Sequence, residues 1–254
     1  TVLSMSVVVA PEAGAVAGAG DLIKMSGLSS VYYLAADGKR YVFPNEQTYF
    51  SWYSDFSGVV TISQSELEAL PLGANVTVRP GTKLVKITTS PKVYAVTANG
   101  NLLAVPDEAT AATLYGANWN KKIIDVPDAF FTNYKISAAI VSATAYPQGS
   151  LVKFGASADV FYINADGTAS KIANEAALTA NRFKMADVIT ATIVKPTEGV
   201  AIAAAVATLT DTSSGAGGVI GAGTGLTVAL ASDTPASATV ITDTTATTGN
   251  GQAN

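Results

Sequence analysis

Short apolar runs broken by turn residues mark this chain from Leu22 onward. "LIKMSGLSSVYYLAADGKRYVFPNE" starts at Leu22, and its skeleton returns as "LVKITTSPKVYAVTANGNLLAVPDE" from Leu84 and "LVKFGASADVFYINADGTASKIANE" from Leu151. The three stretches align without a gap over 25 positions. Lys24, Lys86 and Lys153 coincide, as do Tyr32, Tyr94 and Phe161, then Gly38, Gly100 and Gly167, then Glu46, Glu108 and Glu175. Self-similarity at a fixed period is the mark of a repeat architecture.

Each segment of the skeleton predicts an element. Leu-Ile/Val-Lys is a short strand, and Val-Tyr/Phe opens a second one rich in β-branched and aromatic residues. Asp37-Gly38, Asn99-Gly100 and Asp166-Gly167 are hairpin signals, because both residue types tolerate positive φ. A third strand follows, clearest in "KRYVF" and "NLLAV". Asn45, Asp107 and Asn174 then stand where a helix N-cap belongs, each followed by Glu in the first turn. The helices predicted are "EQTYFSWYSDF", "EATAATLYGAN" and "EAALTANRF". Ser63 with Glu66 fits a capping box for a further helical turn.

The expected fold is therefore α+β and β-rich: tandem β-β-β-α repeats of about 60–68 residues, then a strand-rich segment with an Ig-like or partial β-sandwich character. The domains expected are an apolar segment over 1–19, repeats over 20–80, 81–148 and 149–198, and a Thr/Ala/Gly-rich strand segment over 199–254. The third repeat lacks the aromatic helix face, and reads as a degenerate unit or as the terminal cap of a stacked array.

Residues 20–136 carry a resemblance. "GDLIKMSG", "VYYLAADGKRYVFPNEQTYFSWYSDF", "LPLGANVTVRPGTKLVKITTSPKVYAV" and "LYGANWNKKIIDVPDAFFTNY" resemble a module of the surface-layer-like proteins of candidate-phyla, ultra-small bacteria. "TGLTVALASDTPASATVI" is similar to the start of the β-sandwich region that follows in those proteins. The resemblance implies an exported structural protein of the cell envelope, located extracellularly at the cell surface.

The ends of the chain differ from its middle. "TVLSMSVVVAPEAGAVAGAG" is apolar, then small, with several A-x-A patterns. It reads as the end of a secretory signal and its cleavage zone, as a retained β-branched strand that adds to a neighbouring subunit, or as an assembly helix. The strand reading rests on Val2, Leu3, Met5, Val7, Val8 and Val9. The run is too short to span a bilayer. At the other end, residues 196–254 carry Glu198, Asp211, Asp233 and Asp243 and no base, so the chain's formal charge of −4 falls there. No aromatic residue follows Phe183. "VAIAAAVATLTD", "GLTVALASD" and "ATVITDTTA" are predicted strands, with a flexible Thr-rich stalk as the alternative.

Composition narrows the chemistry. Nearly half the residues (48%) are apolar and 13% are charged, enough for packed cores. The sequence has no Cys and no His, which excludes disulfides, thiolate or imidazole ligation, and Ser-His-Asp or Cys-His nucleophiles. Basic clustering of the kind nucleic acid requires is missing. "SGAGGVIGAGTG" lacks the Lys-Ser/Thr ending of a phosphate loop. Ser150-Leu151-Val152-Lys153 spells S-x-x-K on a predicted strand, where positions three apart face opposite sides. The repeated Lys and the Asn-Glu pairs fit Lys on a strand and Glu at a helix start, with a Lys-to-Asn isopeptide cross-link as the alternative.

No cofactor is expected. Glu66/Glu68, Asp107/Glu108 and Asp125/Asp128 are the carboxylate pairs where an oxygen-ligated Ca²⁺ is a candidate, against capping or solvated acids. Tyr49, Trp52, Tyr53 and Phe56 follow helical spacing and predict a core face, with an exposed ring docking sugar or a partner as the alternative. Asn75-Val76-Thr77 matches an N-glycosylation sequon. The function expected is a non-catalytic structural protein that associates with copies of itself into a layer or filament. The alternative is a secreted adhesion module that binds cell-wall glycan through Tyr/Trp surfaces.

Overall fold

The computed structural model describes residues 17–215. These lie within one compact unit. The candidate assembly strand with Val2, Leu3, Met5, Val7, Val8 and Val9 falls outside the described residues, as do the tail's strand predictions beyond residue 215.

The protein is mixed α+β and strand-rich, with three small sheets. The first holds β1 (Leu22–Met25), β2 (Tyr32–Leu34), β3 (Arg40–Val42), β4 (Val59–Ile62) and β5 (Leu72–Asn75), with α1 (Glu46–Trp52) and α2 (Gln64–Ala69) between strands. The second holds β6 (Leu84–Ile87), β7 (Tyr94–Thr97), β8 (Asn101–Ala104), β9 (Ile123–Val126) and β10 (Lys135–Ile140), with α3 (Glu108–Tyr115) and α4 (Asp128–Phe131). The third holds β11 (Leu151–Lys153), β12 (Phe161–Ile163), β13 (Ala169–Lys171) and β14 (Ile189–Thr190), with α5 (Glu175–Ala180); α6 (Ala207–Thr210) follows.

The order in the first sheet is β4-β1-β2-β3-β5, and in the second β9-β6-β7-β8-β10. In both, an antiparallel meander is flanked by one parallel strand at each edge. The third follows as β14-β11-β12-β13, and parallel bridges from Glu198 to Ala169 and from Ile202 to Ile172 take the place of the far edge strand. The flanking strands were not foreseen in the β-β-β-α expectation. A parallel neighbour requires a crossover, and the helix after each meander supplies it.

The Leu-Ile/Val-Lys pattern feeds both faces of each sheet, because neighbours on a strand point opposite ways. Leu22 packs with Tyr33, Phe43, Tyr49 and Trp52, whereas Ile23 packs with Leu34, Ile62 and Leu67. Leu84 and Val152 meet in one core shared by the second and third sheets, while Val85 and Leu151 serve separate cores. Helix ends match their predicted caps. Asn45 Oδ1, Asp107 Oδ1 and Asn174 Oδ1 accept from the backbone N–H of Thr48, Thr110 and Ala177 at 2.8, 2.7 and 2.8 Å. The capping box of Ser63 and Glu66 is formed at α2.

Two local expectations are corrected. Asn99 and Gly100 both take positive φ, 58° and 66°, but in the other hairpins Gly38 and Gly167 do so while Asp37 and Asp166 do not. Those two carboxylates instead accept from the N–H of Lys39 (3.0 Å) and Thr168 (2.9 Å), closing three-residue loops. The strand predicted over "VAIAAAVATLTD" ends at the Ile202 bridge. Asn181 Oδ1 then accepts from Val206 N–H at 2.9 Å, and α6 folds Leu209 against the third core.

A stacked array would let each unit touch its sequence neighbours alone. Here the first and third sheets are joined as well. Tyr134 and Asn133 link the second to the first, through Val78 N–H and Asn75. Thr192 links the third to Thr113 and Tyr146. Lys184 and Arg182 reach back to the C-terminal end of α1, at Phe50 and Tyr53, and Phe183 lies against Arg79.

Candidate functional site

The densest polar network lies where those contacts converge. Helix α1 buries Tyr49 and Trp52, at 1% and 2% exposure. The Trp52 Nε1–H donates to Thr77 O at 2.9 Å, fixing the chain that leads into Arg79. The Arg79 backbone N–H donates to Ser51 Oγ at 2.9 Å. Its guanidinium lies 5.2 Å from the Trp52 ring centroid and 4.7 Å from that of Phe183. It donates to the carbonyls of Arg182 (2.6 Å), Asn181 (2.8 Å) and Leu209 (3.1 Å). Arg79 is 5% exposed, and among the described residues no ion pair includes it. Burial, and then the like charge of Arg182, depress its pKa to about 10. Planar guanidinium suits this place, since it lies close to two aromatic rings while its N–H groups serve three acceptors.

Three further groups complete the network. Arg182 has φ of 55°, lies 4.7 Å over the Tyr53 ring, and donates to Thr212 Oγ1 and Thr210 O. Lys184 Nζ donates to Tyr53 O at 2.7 Å and to Phe50 O, satisfying carbonyls at the end of α1. Burial lowers the Lys184 pKa. Asn181 is fully buried, with its amide nitrogen donating to Ala177 O and Ala204 O. A cleft of about 530 Å³ opens beside this network, lined by Asp21, Tyr53, Asp55, Arg182 and Phe183. Asp21 and Asp55 already accept backbone N–H bonds from Gly18 and Ser57. The arrangement ties segments together: its cations serve carbonyls and rings of the fold.

The residues singled out by the repeated skeleton are distributed, not gathered. Lys24 stands opposite Thr61, Lys86 opposite Asp125, and Lys153 opposite Thr190, one in each sheet. Lys86 Nζ pairs with Asp125 at 2.5 Å. Gly38, Gly100 and Gly167 shape the hairpin loops, and Glu46, Glu108 and Glu175 are exposed in first helical turns. The amide oxygens of Asn45 and Asn174 cap helices. Ser150 is fully buried, its hydroxyl without a partner among the described residues, just before β11.

The carboxylate pairs are engaged locally. Glu66 caps α2, Glu68 accepts from Gln64 Nε2 at 2.6 Å, Asp107 caps α3, and Asp128 accepts from Thr88 Oγ1 at 3.0 Å. Among the described residues no group of three or more Asp, Glu, His or Cys side chains is placed to hold a metal ion. In the sequon, Asn75 Nδ2 donates to Asn133 Oδ1 at 3.2 Å, and Val76 and Thr77 are buried.

The aromatic face divides. Tyr49 and Trp52 are core, whereas Phe56 is 46% exposed. The chain leaves the helix at Trp52, four residues before Phe56, so helical spacing no longer directs that ring inward. Arg79, Asn181, Arg182 and Lys184 escaped the sequence reading. A signal was present: Arg79 interrupts the apolar alternation of "NVTVRPG", next to a Pro-Gly turn.

No protein-family model matches the chain, and no curated protein matches it in sequence. Among solved structures it is similar to a chain of the "periplasmic assembly from the ESX-5 inner membrane complex", at 9% identity and a TM-score of 0.20. That alignment covers 59% of this chain, which spans about half (51%) of the solved one. Among the described residues no helix is long and apolar enough to cross a membrane.

Proposed function

We propose that this chain is a non-catalytic structural protein of the cell surface, built from three versions of one β-β-β-α unit, that associates with copies of itself. The observation that carries the self-association is β10. It is an edge strand of the second sheet, and its Ile136 and Ile140 are 60% and 61% exposed. A strand edge that offers both backbone groups and apolar side chains is a template for pairing. The shared strand order supports the repeated unit, and the resemblance over 20–136 supports the surface location. The Arg79 network supports the role of a rigid building block.

Light scattering and negative-stain microscopy of the purified full chain test this reading. Oligomers, sheets or filaments are expected, and Ile140→Lys disperses them while the thermal midpoint holds. A monodisperse monomer at high concentration rejects it. A second reading, a secreted adhesion module that holds glycan, is favoured by a separate cleft lined by Phe43, Tyr49 and Phe56.

A further inference from the structure

We infer that the cleft between the β1–β2 loop and the start of α1 is a binding site for an uncharged pyranose polymer. The inference rests on the adhesion reading and gives it a place on the molecule. The cleft has a volume of about 360 Å³, and Phe43, Tyr49 and Phe56 line it together with Ser29, Ser30 and Glu46. That size is within the range of small-ligand clefts, about 300–1,000 Å³.

Phe56 is its central feature. Tyr49 stacks on one face of the ring, with centroids 4.4 Å apart and planes at 20°, and Phe50 meets it edge-on at 5.2 Å. The Tyr49 hydroxyl donates to Asp55 O at 2.7 Å, pinning the loop that carries Phe56. Held by these two rings and 46% exposed, Phe56 presents part of its ring to solvent at the cleft. An oriented aromatic face takes the C–H side of a sugar ring through the negative face of its quadrupole. Around it stand hydroxyls and a carboxylate. Ser29, Ser30 and Glu46 are exposed, and among the described residues none of their side chains has a hydrogen bond or ion pair. A mixed rim of donors and acceptors above an apolar floor meets the equatorial hydroxyls of a pyranose. The Glu46 carboxylate disfavours a uronic or phosphorylated polymer.

The side chains that line this cleft are specific to the first sheet. At the positions aligned with Phe43 and Tyr49, the second sheet has Val105 and Ala111, and the third has Ile172 and Leu178. Ser29 and Ser30 align with Pro91 and Lys92 in the second, and with Ala158 and Asp159 in the third. Asp159 is paired with Lys171 at 2.9 Å. The other two copies therefore fold without these aromatic and serine side chains at the aligned positions; the third sheet has a different cleft, of about 410 Å³, lined by Phe154, Phe161, Ser157, Asp159 and Lys195.

Calorimetric titration of the full chain with soluble chitin and cellulose oligosaccharides, and with polygalacturonate as the anionic control, tests the site. Binding of the neutral oligomers is expected. Phe56→Ala should weaken it about tenfold, Phe56→Tyr should retain it, and both variants should keep the wild-type circular dichroism. If the neutral oligomers bind and Phe56→Ala binds equally well, the adhesion reading stands and this cleft is rejected. A preference for polygalacturonate overturns the assigned ligand class. No binding to any of the three overturns the site and the adhesion reading together.

Discussion

Gly81 and Gly149 meet backbone to backbone: a β-carbon on Gly81 would stand 2.0 Å from the carbonyl carbon of Gly149, and one on Gly149 would stand 2.6 Å from that of Pro80. Both have positive φ, 72° and 91°. Each lies just before the first strand of its sheet and donates its N–H to the second strand of that same sheet, Gly81 to Val96 O and Gly149 to Ile163 O. The two junctions are thus packed as one. Gly81→Ala is expected to prevent folding or lower stability by at least about 3 kcal/mol, since main chain cannot yield to a methyl group. Gly155, at φ 63° with open space around it, is the control. Gly155→Ala costs about 1–2 kcal/mol for the left-handed backbone alone. Urea denaturation of both variants distinguishes contact from conformation, and equal losses would refute the packed junction.

Arg79 closes the first sheet onto the third. Arg79→Met keeps much of the stem but strips three carbonyls of their donor, one buried at Asn181 and two half-buried at Arg182 and Leu209. A loss of about 3 kcal/mol is expected, because unmet buried acceptors cost more than a hydrogen bond returns. Arg79→Lys should rescue little, as one ammonium cannot reproduce the fork. Hydrogen exchange should quicken first at residues 207–215 and at the end of α1. A variant within about 0.5 kcal/mol of wild type would mean that the network is ornamental.

The three helix caps are independent. Asn45→Ala and Asn174→Ala should each cost about 1 kcal/mol, and the double variant about the sum, because the sites share no partner. Asp107 adds a pH signature. The Thr110 N–H bond, and then the Thr110 side chain, hold its carboxyl below the ordinary range. Its contribution is present above the ordinary aspartate pKa and is lost as pH falls through the depressed one. Asp107→Asn should remove that part of the acid sensitivity and leave the helix capped. An unchanged acid limb in this variant would rule the contribution out.

Local chemistry was legible in the sequence, while closure was not. Asn45, Asp107 and Asn174 signal helix starts because cap, first-turn Glu and following apolar residues are adjacent in sequence. Gly38, Gly100 and Gly167 signal loops for the same local reason. The parallel strands β4, β9 and β14 were hidden, since a crossover places partners far apart: Leu22 with Val59, Leu84 with Ile123. Phe56 read as core because helical spacing was extended past the point where the helix ends. Arg79 was hidden most deeply. Its partners lie in a segment about a hundred residues later (separations of 102 and 103), and a lone arginine in a strand-like run has no periodicity to betray burial.

Alkaline titration reads the cores directly. Burial pushes the pKa values of Tyr33, Tyr41, Tyr49 and Tyr134 up to about 12, from an ordinary value of 10.0. At Tyr41 the hydroxyl also donates to Asp37 Oδ2 at 2.7 Å, which opposes ionisation further. A folded state that holds phenolic protons more tightly than the unfolded chain is favoured fully below pH 10, and that advantage is lost as pH rises through about 12. Burial of the Lys184 amine works in the opposite sense, since the unfolded chain binds that proton more tightly. Burial lowers Lys122 and Arg79 in the same way, and raises Tyr53, Tyr115 and Tyr162 like the other phenols, so with seven phenols against three cations stability should fall across this window. Tyrosinate absorbance should therefore rise in two phases, exposed rings first, and the second phase should coincide with loss of far-ultraviolet circular dichroism. Tyr33→Phe should move that unfolding to higher pH, because one of the coupled protons is gone. Ionisation of all tyrosines in one step near pH 10 with the fold intact would contradict the tighter hold of the folded state on these four phenolic protons.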